Sequence, residues 1–332
     1  DKPAPNYSPV GKAYPTTSTG RRTALARWIT DSRHPLTARV AVNHIWLRHF
    51  GEALVPSVFD FGHNGTSPSH PQLLDWLASE FIRRDWDVKA IHRLIVCSAT
   101  YRQASTTSTA LRIRDPENRL LARGPRKRMT PYAIRDAALL VSGLLVERTG
   151  GPSVRPYQPE GLWKEIASTT DYDQSTGGGL YRRSLYTYWK RSVPPPNMFA
   201  LDAPTRETCT TRRQRTNTPL MALVLMNDPT FVEAARALAV RALVRDADNE
   251  VARIEWLFAS VTARRPTTEE LETLVSLLAD QRTRFRARPA AASELLAVGA
   301  SPIDKRVDVV EQAAWTALCS VLLNTDEAIT RE

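Results

Sequence analysis

Helix start signals recur along this chain and constrain its fold more than any other feature. A Ser, Thr or Asp before proline, or three residues before Glu or Gln, is typical of a helix N-terminus. Such signals occur at Thr130-Pro131, at Thr218-Pro219, at Asp228-Pro229 and over Thr267–Glu270. Apolar residues at helical spacing accompany them, as in the stripe of Val42, Ile45, Trp46 and His49. The sequence therefore predicts a mainly α, multi-helical fold with about ten helices.

Glycines and caps set the expected helix limits. Gly51 ends a helix over 36–50, and Ser69-His70-Pro71-Gln72 has capping-box spacing for the next one. The helix that begins at Thr130-Pro131 is expected to continue to Glu147, before Gly150-Gly151. A first short helix is expected over 21–31, with Leu25 and Trp28 on one side. Further helices are expected at about 250–263, 267–286 and 305–324.

Length and composition predict several regions rather than one core. A chain of 332 residues exceeds the usual size of a single hydrophobic core. We expect a linker or strap at 1–20, an N-terminal helical lobe at 21–150 with a histidine-rich segment, a mixed basic insert at 151–215, and a C-terminal helical lobe at 216–332. Glycines, prolines and β-branched residues favour a small β or extended portion around 151–196.

The cysteines and the chain start say little about compartment. Three cysteines lie far apart, and Cys97 and Cys319 fall within apolar helical patterns, which predicts buried thiols. No apolar run approaches the roughly 18 residues of a membrane span. The opening Asp1-Lys2-Pro3-Ala4-Pro5 is typical of a linker, so we expect this chain to be a piece of a longer protein.

The stretch from Arg39 to Arg102, here called the histidine segment, is the first candidate site. Five of the six histidines lie in it, and His34 lies just before it. Each residue also has a structural interpretation, as a core, capping or loop-pinning side chain. The candidate catalytic residues are Asp60, His70, His49 and His92, and the candidate anion- or substrate-binding residues are Arg39, Asn43 and Arg102.

The spacing of the histidines disfavours a preformed metal site. His44 and His49 are five residues apart, which places them about 140° apart around a helix. General acid–base work by an Asp60–His70 pair requires only one polar contact and one tuned pKa. Acid–base chemistry is therefore favoured over zinc, and the metal content stays open.

The stretch from Tyr181 to Arg215, here called the basic segment, is the second candidate site. Eight cationic and two acidic side chains give it a formal charge of +6, more than half of the chain's +10. Five aromatic residues interleave with the cations. Arginine suits planar capture of carboxylate, sulfate or phosphate, whereas a solvated or interdomain face is the structural alternative. The candidate anion-binding residues are Arg182, Arg183, Arg212, Arg213 and Arg215.

Several segments together resemble a known family. They include Asn43-His44-Ile45-Trp46, Asp60-Phe61-Gly62, Ser98-Ala99-Thr100-Tyr101-Arg102, Asp202-Ala203-Pro204 and Asn227-Asp228-Pro229. Over residues 20–332 the chain resembles the planctomycete-specific C-terminal domain of unknown function "fifteen fifty-three". His44 and His63 depart from the family pattern and are weaker site candidates for that reason.

The resemblance implies a context rather than a reaction. Family members look like large exported proteins that often also carry a cytochrome-c-like domain, and their context suggests breakdown of complex carbohydrate. A periplasmic or extracellular location and upstream domains of the same polypeptide as partners are therefore expected. The haem motif CxxCH is absent, so no cofactor is expected within this chain, and any haem belongs to a domain outside it.

Three classes of function stay open. The chain is a module of an exported carbohydrate-degrading protein, with or without redox coupling through the cytochrome-c-like domain; a non-catalytic scaffold that binds acidic or sulfated glycan; or a nucleic-acid binder. The isoelectric point near 9.8 favours nucleic acid, but the cations elsewhere are balanced by acids and no nucleic-acid motif is present, so a nucleic-acid partner is disfavoured. Whether the chain is an enzyme stays uncertain.

Overall fold

A computed structural model of the chain describes residues 20–167, 171–245 and 249–331. It is mainly helical, with 54% of the residues in helices, so the predicted fold class is confirmed. The predicted linker at 1–20 lies, except for Gly20, outside the described residues. The α-helices described are Arg21–Ile29 (α1), Thr37–Phe50 (α2), Pro71–Arg83 (α3), Val88–Val96 (α4), Thr109–Arg114 (α5), Pro131–Ser142 (α6), Leu162–Ala167 (α7), Pro196–Ala200 (α8), Pro219–Asn227 (α9), Pro229–Leu243 (α10), Glu250–Thr262 (α11), Thr268–Ala287 (α12), Pro289–Leu296 (α13), Val309–Leu323 (α14) and Asp326–Ile329 (α15).

The chain divides into two compact units. The first unit extends to Lys127 and the second comprises Arg128–Arg331. The basic segment therefore belongs to the second unit together with α6. Within the described residues, no helix is long and apolar enough to cross a lipid bilayer.

The first unit is built around α2, α3 and α4. Val42 and Ile91 are fully buried, and Leu77 is almost so. Trp46 stacks on Phe50 at 4.0 Å between ring centroids, one turn apart on α2. The predicted stripe of α2 therefore faces this core. By contrast, α1 has no buried residue, and its Leu25 and Trp28 side chains are exposed.

The second unit is built around α10, which packs against α14, α6 and α11. Ala234, Ala235 and Ala239 on α10 are fully buried, and such small side chains allow neighbouring helices to approach closely. Trp315 of α14 is the largest fully buried side chain, and its indole N–H donates to Glu311 at 2.8 Å. A single apolar cluster thus joins most helices of this unit.

Several predicted caps are confirmed. Gly51 has the left-handed conformation, with φ of 86°, where a side chain would be strained. Asp228 accepts a hydrogen bond from the Thr230 amide at 2.9 Å and caps α10, and Thr267 and Glu270 form the predicted capping box. These caps satisfy amide groups that the first helical turn leaves without partners.

Helix α3 begins at Pro71, as predicted, but its capping residue differs, and the predicted end of α6 and the predicted burial of Cys97 are wrong. The Ser69 hydroxyl donates to the Leu54 carbonyl instead of capping α3, so His70 occupies the N-cap position. Gly143, with φ of 80°, ends α6 at Ser142, well before the predicted end at Glu147. The thiol of Cys97 is exposed rather than buried, whereas that of Cys319 is buried as predicted.

The predicted β or extended portion is extended rather than a sheet. Among its described residues, the β structure within 151–196 consists only of isolated bridges, such as Val154 with Thr187, and the helix α7 also lies there. Two 3-10 helices, Gly177–Tyr181 and Ser184–Tyr186, interrupt it. The one small sheet described pairs Lys127–Arg128 (β1) with Thr330–Arg331 (β2).

Candidate functional site

Two of the candidate catalytic histidines contact each other in the first unit. His49 lies in the last turn of α2 and His92 lies within α4, and His49 Nε2 is 2.6 Å from His92 Nδ1. Tyr101 meets the His49 ring edge-on at 5.5 Å between centroids. One proton between two nitrogens makes one ring the donor and the other the acceptor. The contact therefore joins α2 to α4 as a hydrogen bond between helices.

Asp60 and His70 have different local partners. The Asp60 carboxylate is exposed and accepts the Gly62 amide at 2.8 Å, and its carbonyl accepts the Ser57 hydroxyl. His70 Nδ1 lies 3.0 Å from the Ser69 hydroxyl. The Asp60–His70 pair proposed for acid–base work is therefore not brought together by a hydrogen bond between the two side chains. Their catalytic roles stay predictions.

The candidate anion-binding residues of the first unit are differently placed. The Asn43 side chain is fully buried, and its amide donates to the Val55 carbonyl and accepts from the Val55 amide. Arg39 pairs with Asp75 at 2.6 Å and so connects α2 to α3. The Arg102 side chain is exposed. Asn43 is thus a structural clamp on the loop after α2, and only Arg102 faces solvent without an acid partner among the described residues.

Metal-ligating side chains do not converge in the described part of the chain. No group of three or more His, Cys, Asp or Glu side chains there could hold an ion. A zinc site needs three or four such ligands at about 2.0–2.3 Å. Among the described residues, the close pair of His49 and His92 is not joined by a third ligand of this kind.

Arg182, in the basic segment, is buried and structural. Its guanidinium donates to the carbonyls of Arg148, Gly150 and Pro152 and lies 3.8 Å from the Tyr186 ring centroid. Arg182 thus supplies hydrogen-bond donors to three backbone carbonyl groups of a glycine-containing turn. Arg183 beside it is exposed and lies 3.8 Å from Glu147.

A pocket of about 550 Å³ lies against α6 in the second unit, and we call it the arginine–tyrosine pocket. Tyr132 and Asp136 reach it from one face of α6, because residues four apart lie one turn above each other. Arg206 and Arg213 line it from the loop between α8 and α9. The Asp136 carboxylate accepts both the amide and the hydroxyl of Ser184, which fixes the inner wall.

Aromatic rings hold the two arginines of this pocket. The Arg206 guanidinium lies 4.2 Å from the Trp189 ring centroid and donates to the Tyr132 hydroxyl at 3.1 Å. The Arg213 guanidinium lies 5.4 Å from the Tyr132 ring centroid. The Trp189 indole is itself fixed, because its N–H donates to the Thr205 carbonyl at 3.0 Å. The aromatic residues thus position cations, rather than leaving these ring faces open to a ligand.

The backbone at Arg206 is also unusual. Its φ of 65° lies in the left-handed region, which costs a residue with a Cβ roughly 1–2 kcal/mol. Strained backbone of this kind is often found at ligand-binding positions. Arg206 therefore holds its guanidinium over two rings at a local conformational cost.

The sequence predicted part of this pocket. Arg213 was among the candidates, and Arg206 was counted in the basic segment without being selected. Arg212 and Arg215 are exposed in the same loop. Tyr132 and Asp136 were missed because they lie about 50 positions earlier. Only their four-residue spacing after a helix start could have indicated a shared face.

The fold and this pocket define a mainly α-helical protein with a candidate anion-binding site made of arginine and aromatic side chains. The family profile PSD1, described as protein of unknown function (DUF1553), matches residues 21–278, and the chain belongs to this family. No curated protein and no solved structure matched the chain.

Proposed function

We propose that the chain is an exported module, periplasmic or extracellular, of a larger protein that takes part in the breakdown of complex carbohydrate. Its own contribution in this proposal is to bind acidic glycan in the arginine–tyrosine pocket. The observation that carries the binding role is the pair of guanidinium groups of Arg206 and Arg213. Neither has an acid partner among the described residues, and both lie at one opening.

The carbohydrate context has a separate and weaker support, which is the family resemblance alone. The same holds for redox coupling through a cytochrome-c-like domain outside the chain and for upstream domains as partners. Membership of a family of unknown function supplies no substrate. The binding role and the context can therefore be tested independently.

Preorganised arginines suit a carboxylate or sulfate group. A guanidinium presents its N–H donors in a planar fork that matches two oxygens at once, and such charge-assisted pairs are about twice as strong as neutral ones. Binding also costs less when the side chains are already ordered. Stacking on Tyr132 and Trp189 provides that order for Arg206.

Two acids moderate the charge of the pocket. Glu207 is exposed at its lining, and Asp136 lies 3.8 Å from the buried Arg135 guanidinium. Formal charge within the lining is therefore balanced, and the residues of the basic segment outside the lining carry a formal charge of +5. We infer that affinity comes from directed arginine contacts together with a screened long-range attraction.

The test is a titration with matched polymers at about 50 and 200 mM salt. Dextran sulfate carries sulfate, polygalacturonate carries only carboxylate, dextran is the neutral counterpart, and duplex DNA represents nucleic acid. We expect one of the acidic glycans to bind more tightly than dextran and DNA. Equal binding to dextran, or stronger binding to DNA, would contradict acidic glycan as the ligand.

A matched pair of variants assigns the binding to the pocket. The double variant Arg206→Gln/Arg213→Gln is expected to lower affinity about tenfold or more. The double variant Arg112→Gln/Arg114→Gln removes the same charge from the exposed face of α5 in the other unit. A similar loss in both variants would show a general effect of net charge and would overturn the pocket as the site.

A further inference from the structure

A second and larger cavity lies in the second unit, between α8, α9 and the start of α10. Its volume is about 840 Å³, within the range typical of small-molecule sites. It shares no lining residue with the arginine–tyrosine pocket. Its chemistry therefore has to be argued separately from the proposed glycan binding.

The walls of this cavity are apolar and open. Phe199, Leu220 and Leu223 line it and are 53%, 57% and 52% exposed. Helix α9, which runs Pro-Leu-Met-Ala-Leu-Val-Leu-Met-Asn, is apolar on all sides, a composition typical of a helix that is covered all round. Met221 and Leu225 are buried on its inner side, whereas Leu220 and Leu223, which face the cavity, have no cover.

A carboxyl group lies among these apolar walls. Asp202 and Asp228 both line the cavity, but Asp202 is paired with Arg128 at 2.5 Å, whereas Asp228 lies beside Asn197, which is only 7% exposed. Burial raises the pKa of the Asp228 carboxyl, because its charged form is poorly solvated there. The buried Arg135 attracts it electrostatically, but that guanidinium donates its hydrogen bonds to the Leu180 and Arg182 carbonyls and to the Ser184 hydroxyl.

Asp228 retains acceptor capacity. It accepts the Thr230 amide at 2.9 Å, and the side chains of Thr230 and Asn197 also interact with it. A carboxylate has about four lone-pair sites, so these contacts leave acceptor positions available. Asp228 also has no ion pair in the described part of the chain. A cation that enters the cavity would supply one.

We propose that this cavity binds a small apolar molecule that carries a cationic amine. The apolar part of the ligand packs against Phe199, Leu220 and Leu223, and the ammonium group donates to the Asp228 carboxylate. Charge complementarity selects this occupant, since an anionic ligand would bring a second negative charge to a poorly solvated carboxylate. A neutral ligand would leave the carboxylate without an ion pair.

The experiment compares three ligands of similar shape by calorimetry and by chemical-shift mapping of Leu and Ile methyl groups. Phenethylamine is the cationic probe, phenethyl alcohol is the neutral probe, and hydrocinnamate is the anionic probe. We expect the amine to bind about tenfold more tightly than the alcohol, because a charge-assisted hydrogen bond replaces a neutral one. Hydrocinnamate is expected to bind most weakly.

Three variants locate the contacts. Asp228→Asn keeps a good N-cap for α10 and is expected to abolish the preference for the amine. Leu223→Gln is expected to weaken binding of both the amine and the alcohol. Met226→Gln changes an exposed residue of the same helix outside the cavity lining and is expected to leave both affinities unchanged.

A pH titration keeps the proposal testable if Asp228→Asn does not fold. The preference for the amine should disappear as pH falls through the pKa of Asp228, because a protonated carboxyl cannot pair with the ammonium. Equal affinities for the amine and the alcohol at neutral pH would overturn the proposal and indicate an apolar docking surface. Absence of binding by all three probes would overturn it as well.

Discussion

The histidine pair of the first unit and the arginine–tyrosine pocket of the second unit both place polar side chains against aromatic rings, yet they do so with opposite results. His49 meets Tyr101 edge-on and also contacts His92 at 2.6 Å, so its polar side is used within the fold. Arg206 stacks on Trp189 and keeps its remaining donors at the surface. In the first unit the ring contacts accompany a hydrogen bond between two helices. In the second unit they hold an arginine whose donors face solvent.

The same contrast occurs within the basic segment. Arg182 and Arg206 each lie over an aromatic ring, but Arg182 is buried and donates to three backbone carbonyls. Removal of a buried donor leaves the acceptors it served without hydrogen-bond partners. Removal of an exposed donor costs less, because water can replace it as the donor. Arginine count alone therefore does not separate a structural side chain from a binding one.

The largest expected effect tests this contrast directly. Arg182→Ala should lower the free energy of unfolding by on the order of 3 kcal/mol, because the carbonyls of Arg148, Gly150 and Pro152 lose their charged donor. Arg206→Ala should change it by only about 0.5 kcal/mol. Urea denaturation followed by circular dichroism measures both. Equal stabilities of the two variants would contradict the distinction between them.

The next effect concerns the first unit. Asn43→Ala should lower the free energy of unfolding by about 2 kcal/mol, since both hydrogen bonds to Val55 are lost in a fully buried position. His63→Ala in the same segment is the control, because His63 is exposed. A stability of Asn43→Ala equal to that of the control would show that the amide is dispensable for packing and would favour a binding role.

A smaller effect sharpens the description of the second unit. The double variant Arg206→Lys/Arg213→Lys keeps both charges but loses the planar forks. We expect affinity for the acidic glycan that binds best to fall about tenfold, with the salt dependence nearly unchanged. Unchanged affinity would mean that point charge alone suffices and would remove the argument from directed donors.

Helix composition and caps were largely predictable because they depend on neighbours in the sequence. Asp228 and Thr267 cap the helices that were expected. Ser69 failed because a carbonyl 15 positions away, that of Leu54, competes for its hydroxyl. The end of α6 was misplaced because Gly143 adopts the left-handed conformation before the later glycines are reached. Neighbouring residues therefore determine where a helix begins and ends, unless a distant group forms a hydrogen bond with the capping side chain.

The candidate site was less predictable, since it depends on contacts between distant segments. The histidine segment was chosen as a candidate site because polar and titratable residues are dense there. The structure shows that Asn43 and His49 instead form contacts within their own unit. Tyr132 precedes Arg206 by 74 positions, and no spacing rule joins them. The pairing of a cation with a specific ring requires the fold, whereas the composition of the basic segment indicated only that an excess of arginine was present.

The smallest expected effect concerns the acid at the pocket lining. Glu207 is exposed and pairs with no cation in the described residues, so its charge opposes an incoming anion in a solvated setting. Glu207→Gln should therefore raise affinity for the acidic glycan by about two- to threefold at low salt, and by less at high salt, because exposed charges are screened. Glu117→Gln, a change of an exposed acid in the other unit, is the matched control, and isothermal titration measures both. A fall in affinity for Glu207→Gln would show that this carboxylate contacts the ligand as an acceptor, and the pocket would then be one that recognises hydroxyl groups as well as an anion.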